Sequence, residues 1–260
     1  MAVLNLNKNK MKSAPRDMQS ARKQMLTEKS PFAIREAYNS IRTKLLFTGK
    51  GEKCPVFAVT SSVMHDGKTT NAVNLAISIA NAGKKVLLID GDMRKPTVHR
   101  YFGMQNGNGL SEILAGLTNE VKIQKTDVEN LHLLTSGQIP PNPAELFALE
   151  QMDTLLNYVK NYFDYIIIDT PPINVVTDAS TLAEKVTGYI YVVQSGKNKD
   201  YEVSDGINAI KEMNGNVVGI VLNDSIGATK KRSSYRRGKN YSRSDYKYYY
   251  SSSTSKQRKK

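Results

Sequence analysis

Residues 56–70, VFAVTSSVMHDGKTT, constrain the fold of this chain more than any other stretch. An apolar run, Val56, Phe57 and Val59, breaks into a short polar loop and then into Gly67-Lys68-Thr69-Thr70. The run reads as a buried strand. From Asn71 the apolar positions Val73, Leu75, Ala76, Ile77, Ile79 and Ala80 read as a helix. A loop between a strand and a helix gathers backbone N–H groups around an anion, and the helix N-terminus adds its dipole. Gly67 allows close backbone approach, Lys68 reaches the β- and γ-phosphates, and the Thr69 hydroxyl ligates magnesium. The loop departs from G-x-x-x-x-G-K-[ST]: Ser62 stands where the first glycine belongs, and His65-Asp66 make it partly acidic. The candidate nucleotide contacts are Ser62, Asp66, Gly67, Lys68, Thr69 and Thr70. Taken alone, Gly-Lys-Thr is as well read as a helix N-terminus with an exposed lysine, so other segments must decide.

Two of them do. Residues 86–89, VLLI, form a second buried strand that runs into Asp90-Gly91-Asp92-Met93-Arg94-Lys95-Pro96. Carboxylates at the carboxyl end of a parallel strand sit where doubly wound folds bind ligands. Asp90 is either a turn cap or a group beside a metal, and the cost of burying an aspartate after VLLI without a cation favours the metal. Residues 164–172, DYIIIDTPP, end an apolar strand in Asp169, the Walker B arrangement in which the carboxylate holds magnesium directly or through water.

The remaining text alternates. Helices are expected over 144–161, 178–186 and 201–213, strands over 131–134, 189–193 and 217–222, and short helices and loops over 97–130. Pro140-Pro141-Asn142-Pro143 reads as a rigid turn, and Asn223, at a strand end, is a positional candidate for contact with a base. Alternation of this kind predicts an α/β fold, a doubly wound and mostly parallel sheet covered on both faces. Ahead of the core, Ile34, Ala37, Tyr38, Ile41 and Leu45 recur at helical spacing. That helix either packs on its own domain or contacts a neighbouring subunit.

Composition narrows the class. No run of 18 apolar residues exists and no apolar signal core opens the chain, so a cytoplasmic protein is expected. The single cysteine, Cys54, excludes an internal disulfide, and three histidines without metal-ligand spacing argue against a His or Cys metal site. The net charge of +13 divides unevenly: +11 on residues 228–260, +5 on residues 1–30 and −3 on residues 31–227. The organisation expected is a mobile arm over 1–30, a P-loop domain over 31–227, and a disordered basic tail over 228–260.

With VTSSVMHDGKTT, LLIDGDMRKP and DYIIIDTPP in this order, the sequence resembles the bacterial tyrosine kinase (BY-kinase) family of capsule and exopolysaccharide systems, in its cytosolic CpsD/CapB type. The resemblance covers roughly residues 31–250. It implies a P-loop NTPase architecture related to ParA and MinD, ATP and Mg2+ as cofactors, and phosphoryl transfer to tyrosine. It places phosphate and magnesium at Lys68 and Thr69, and Asp90 and Asp92 beside the metal and the attacking phenol. Asp169 completes the metal set of Thr69, Asp90 and Asp169. Partition ATPases carry a signature lysine five residues before the P-loop lysine, where this chain has Val63. Ring-forming members carry E-x-x-R-x-x-R on the helix before the core, to which Glu36 and Arg42 correspond as interface residues. Asn39 replaces the middle arginine.

The resemblance also reads Tyr235, Tyr241, Tyr246, Tyr248, Tyr249 and Tyr250 as an autophosphorylation cluster, phosphorylated in trans. Six phosphotyrosines would add on the order of 9 to 12 negative charges, enough to cancel the +11 of the tail. From its residues alone the tail is equally a nucleic-acid arm, with Arg and Tyr interleaved, or a solvated polybasic segment. The expected partners are a membrane-embedded activator, further copies of the chain and a cognate tyrosine phosphatase, with no nucleic acid. The expected location is the inner face of the plasma membrane. The reading from another class is a non-kinase P-loop ATPase, a switch or scaffold of the partition type that acts on nucleic acid.

Overall fold

The computed structural model describes residues 3–7 and 16–223, with backbone alone for residues 3–7, 16 and 17. Among these residues eight strands make one sheet: β1 (Val3–Asn7), β2 (Val56–Ser61), β3 (Val86–Asp90), β4 (Glu120–Lys125), β5 (Leu131–Leu134), β6 (Tyr165–Asp169), β7 (Gly188–Gln194) and β8 (Val217–Asn223). Their order is β1-β4-β5-β3-β6-β2-β7-β8, and every neighbouring pair is parallel except β4 and β5. The central strands β2, β3 and β6 are buried along their whole length, which is why they read as unbroken apolar runs.

Successive side chains of those strands serve opposite layers. Phe57, Val59, Leu88 and Ile167 pack with α2 (Phe32–Thr48) and α3 (Lys68–Ala80). Val56, Leu87, Ile89, Ile166 and Ile168 pack on the other face with α5 (Leu110–Leu114), α6 (Pro143–Ala148) and α7 (Glu150–Val159). A third cluster joins Tyr189 and Tyr191 to Ile210 of α8 (Asp200–Glu212). Residues 71–80 of α3 are all buried, and each of Ile77 and Ile79 contributes about 1.5–3 kcal/mol by leaving water. The helix whose first residue is Lys68 is therefore a fixed element.

Four expectations change. Residues 97–130 contain a strand, β4, because Glu120, Lys122 and Lys125 mask the alternation of the buried Val121 and Ile123. The single helix over 144–161 is two, broken at Leu149, whose backbone is extended (φ −68°, ψ 151°). The segment Thr177–Lys185 is a 3-10 helix. The arm over 1–30 is, in its described part, folded onto the core: β1 pairs with β4, and α1 (Arg16–Arg22) and the turn after it bury Met18 and Leu26. Met18, Ala21 and Met25 recur at helical spacing inside a Lys-, Asn- and Ser-rich text that hides them. The tail over 228–260, with its six tyrosines, lies outside the described residues.

Candidate active site

Parallel strands deliver their carboxyl ends to one edge of the sheet. Here β2, β3 and β6 end side by side, with Asp90 in register with Asp169 and Val59 in register with Asp169 from the other side. From β2 the chain crosses to β3 on one flank, while β7 and β8 lie on the other. The loop after β2 thus occupies the crevice where the winding reverses, the position at which open α/β sheets bind ligands.

The loop is tied down on both flanks. Gly67 has φ 89°, and a side chain there would meet the Asn223 amide at 2.2 Å, so the position requires glycine. Asn223 donates to the Asp66 carbonyl oxygen at 2.9 Å; its side chain latches the loop. Asp66 is fully buried and turns away from the crevice: its carboxylate accepts from the Val63 N–H, the Asn198 amide and the Lys197 ammonium. Ser62 shares a hydrogen bond with the Tyr191 hydroxyl at 3.0 Å, again behind the loop. Of the six nucleotide candidates, Gly67, Lys68, Thr69 and Thr70 line the crevice, and Ser62 and Asp66 brace the loop from behind. His65 joins the lining with φ 65°.

Lys68 meets the carboxylates. Its Nζ donates to Asp92 Oδ2 at 2.9 Å and stands 3.6 Å from Asp169 Oδ1. The Thr69 hydroxyl donates to Asp169 Oδ2 at 2.7 Å. Asp90 lies deeper, its Oδ2 held by the N–H groups of Thr97 and Val98 at 3.1 and 3.0 Å. Burial pushes the Asp90 carboxyl well above the usual range, and the Asp169 and Asp92 charges add to it. Burial likewise raises Asp169 to about 6, against the opposing pull of Lys68. Burial alone would lower the Lys68 ammonium; Asp169 and Asp92 reverse that and hold it above the ordinary lysine value. The crevice opens as a cavity of about 470 Å³ whose lining includes Asp92.

Three aspartates and one lysine leave an excess of buried negative charge. Asp90 Oδ1 and Asp169 Oδ1 are both buried without a hydrogen bond from any of the described residues. That donor set fits a divalent cation. Among the described residues no group of three or more His, Cys, Asp or Glu forms an all-protein metal cage. Magnesium needs none, since it is held by one or two carboxylates together with water and substrate phosphates.

The sequence missed several residues that shape the site. Tyr101, from α4 (Val98–Phe102), shares a 2.7 Å hydrogen bond with Thr70, and Ser20, Ala21 and Gln24 line the cavity from the N-terminal segment. Arg94 forms a two-pronged pair with the buried Asp178 at 2.7 and 2.9 Å and anchors the loop after β3. Only the pattern Met18-Ala21-Met25 signalled the first group. Glu36 and Arg42 lie on α2, away from the crevice: Glu36 accepts from Asn39 at 2.8 Å, and Arg42 donates to Ser78 of α3 at 2.9 and 3.2 Å.

The AAA domain family matches residues 63–216. The chain is 40% identical over 197 residues to the putative tyrosine-protein kinase CapB of Staphylococcus aureus, covering 75% of this chain and 86% of that protein. Among solved structures, the kinase domain of Escherichia coli tyrosine kinase ETK superposes with a TM-score of 0.73 at 33% identity over 78% of this chain and 80% of that one. The chimerical protein CapA2B2 gives 0.71 at 37% identity over 78% and 89%. With relatives at this identity and coverage, named as tyrosine-protein kinases, the chain belongs to the CpsD/CapB-type bacterial tyrosine kinase family.

Proposed function

We propose that this chain transfers the γ-phosphoryl group of ATP to tyrosine, chiefly to Tyr235, Tyr241, Tyr246, Tyr248, Tyr249 and Tyr250 of a neighbouring copy, in the control of capsular or exopolysaccharide synthesis. The observation that carries the reading is the convergence of Lys68, Thr69, Asp92 and Asp169 on one cavity at the carboxyl edge of the sheet.

Phosphoryl transfer asks a protein mainly for positioning and charge stabilisation. The N–H groups of the loop and the ammonium of Lys68 hold the phosphates, with Lys68 exchanging Asp92 for phosphate oxygen when ATP enters. Asp92 faces the cavity and Asp90 does not, so Asp92 is the group that orients the phenol and accepts its proton. A phenol with a pKa of about 10 needs that help at neutral pH. Thr69 and Asp169 would hold magnesium, with Asp90 behind them; when bound, the ion neutralises charge on the phosphate oxygens.

Beyond the chemistry, the basic arms favour an anionic membrane surface and a membrane-embedded activator, the exposed Phe32 and Ile34 on α2 favour self-association through that helix, and a cognate phosphatase would reset the tail. No helix among the described residues is long and apolar enough to cross a membrane.

Intact-mass analysis after incubation with ATP and magnesium tests the reading, with and without the cytoplasmic segment of a membrane partner encoded beside this chain. A phosphatase-sensitive ladder that maps to residues 235–250 and disappears in Lys68→Met is expected. ATP hydrolysis without any ladder would overturn the kinase assignment.

A further inference from the structure

The catalytic cavity is walled on one side by a segment outside the matched AAA domain. Ser20 and Ala21 of α1, and Gln24 in the turn after it, line the opening together with Thr70 and Tyr101. The segment is fastened at several points. Asn74, buried on α3, accepts from the Leu26 N–H at 2.7 Å and donates to the Gln24 carbonyl at 3.0 Å. Met18 and Leu26 are buried, and Arg22 pairs with Asp127 at 3.1 Å.

Gln24 also reaches the catalytic helix. The Thr70 hydroxyl donates to Gln24 Oε1 at 3.0 Å, and since that proton is single, the 2.7 Å contact between Thr70 and Tyr101 must be donated by the Tyr101 hydroxyl. The chain Tyr101–Thr70–Gln24 fixes the wall beside Thr69.

Position decides what this wall meets. Asp92 follows β3, and the wall stands on the same flank of the P-loop. The residues on the opposite flank, Lys197, Asn198 and Asn223, are bonded to the back of the loop and do not line the cavity. The lining that includes Asp92 also presents Ala21, Tyr101, Met64 and Pro172, apolar and aromatic surface suited to a ring, together with the basic Lys95 and Arg100, and Asp92 is the carboxylate there to receive a phenolic proton.

From this we infer that α1 and its turn form the acceptor-side wall, and that Ser20, Ala21 and Gln24 set which tyrosine-bearing segment reaches Asp92. The inference rests on the kinase reading. Gln24 acts as a positioning residue through Thr70 and Tyr101.

The test uses the full chain with Tyr→Phe at its six tail positions and a peptide of residues 244–252 as acceptor, so that ATP and acceptor are varied separately. Ser20 is exposed, so Ser20→Trp fills the cavity mouth without removing packing. It is expected to raise the peptide KM about tenfold while the ATP KM stays within about twofold, the signature of lost acceptor binding. Gln24→Ala, which loosens the wall without filling it, should raise the peptide KM less and in the same direction. Parallel rises in both KM values, or no change in either, would overturn the assignment. No transfer by the parent chain, with ATP hydrolysis intact, would overturn the kinase reading and this inference with it.

Discussion

Asp90 and Asp169 lie opposite one another in the parallel register of β3 and β6, and each carries one buried oxygen that accepts no hydrogen bond from the described residues. Two carboxylates in that position repel, and Asp90 answers with a carboxyl pushed well upward by burial and by its neighbours. Replacing Asp90 by Asn keeps an oxygen for the Thr97 and Val98 N–H groups and removes one of the like charges. Asp90→Asn should therefore melt higher than the parent in EDTA, gain little on adding magnesium and ADP, and lose about 100-fold or more in transfer rate. Thermal melts in the two conditions check this. A variant that melts lower in EDTA would mean that the carboxylates do not strain the fold.

The glycine before the catalytic lysine is fixed by the latch beside it. In Gly67→Ala the new methyl meets the Asn223 amide, and φ of 89° strains the residue even where space is made. Nucleotide affinity is expected to fall about tenfold or more, since a misplaced loop no longer presents its N–H groups. Asn223→Ala should weaken binding less. The double variant should recover only part of the loss, because removing the amide relieves the collision and leaves the backbone strain. Fluorescent-nucleotide titration separates the three; full recovery in the double variant would assign the whole effect to the clash.

The parts of the fold that follow from a simple period were legible. The strands ending in Asp90 and Asp169 are apolar because they are buried on both faces, and a run of that kind ending in a carboxylate has few readings. β4 escaped notice because half of its residues face outward and are charged. The division of labour within the loop was not legible either. Ser62 and Asp66 occupy motif positions, yet Tyr191, Asn198 and Lys197, all distant in sequence, turn their side chains backward. The acceptor-side wall was hidden for a third reason: a few apolar residues at helical spacing were diluted by Lys, Asn and Ser.

Glu112 gives a pH dependence of definite sign. Burial pushes its carboxyl up, but the N–H groups of Gln138 and Gly109 and the Ser111 hydroxyl overcome that and hold it below the ordinary glutamate range. A depressed folded pKa supplies stability that is present above the unfolded value, about 4.3, and is lost as pH falls through the folded value. Glu112→Gln should cost about 1.5–3 kcal/mol at pH 7, the range for hydrogen bonds to a charged group, and much less below pH 4. Urea unfolding of both chains at pH 7 and pH 3.5 reads the difference, and an equal cost at the two values would deny Glu112 its charge-dependent role.

Helix α2 separates two effects that one motif had joined. Arg42 is committed to its own subunit through Ser78, so Arg42→Ala should lower stability by about 0.5–1.5 kcal/mol and loosen α2 as well. Glu36 is exposed and, among the described residues, bonds only to Asn39, one turn along the same helix, a contact of about 0.2–0.5 kcal/mol. Phe32, also exposed on α2, is 70% accessible, so this surface has apolar area to bury against another copy. Glu36→Arg should accordingly leave the melting temperature of the isolated chain unchanged and shift its mass distribution in sedimentation toward the monomer, whereas Arg42→Ala should move both. If Glu36→Arg assembles like the parent, the copies meet elsewhere, and the role of α2 is to brace α3 and the P-loop it carries.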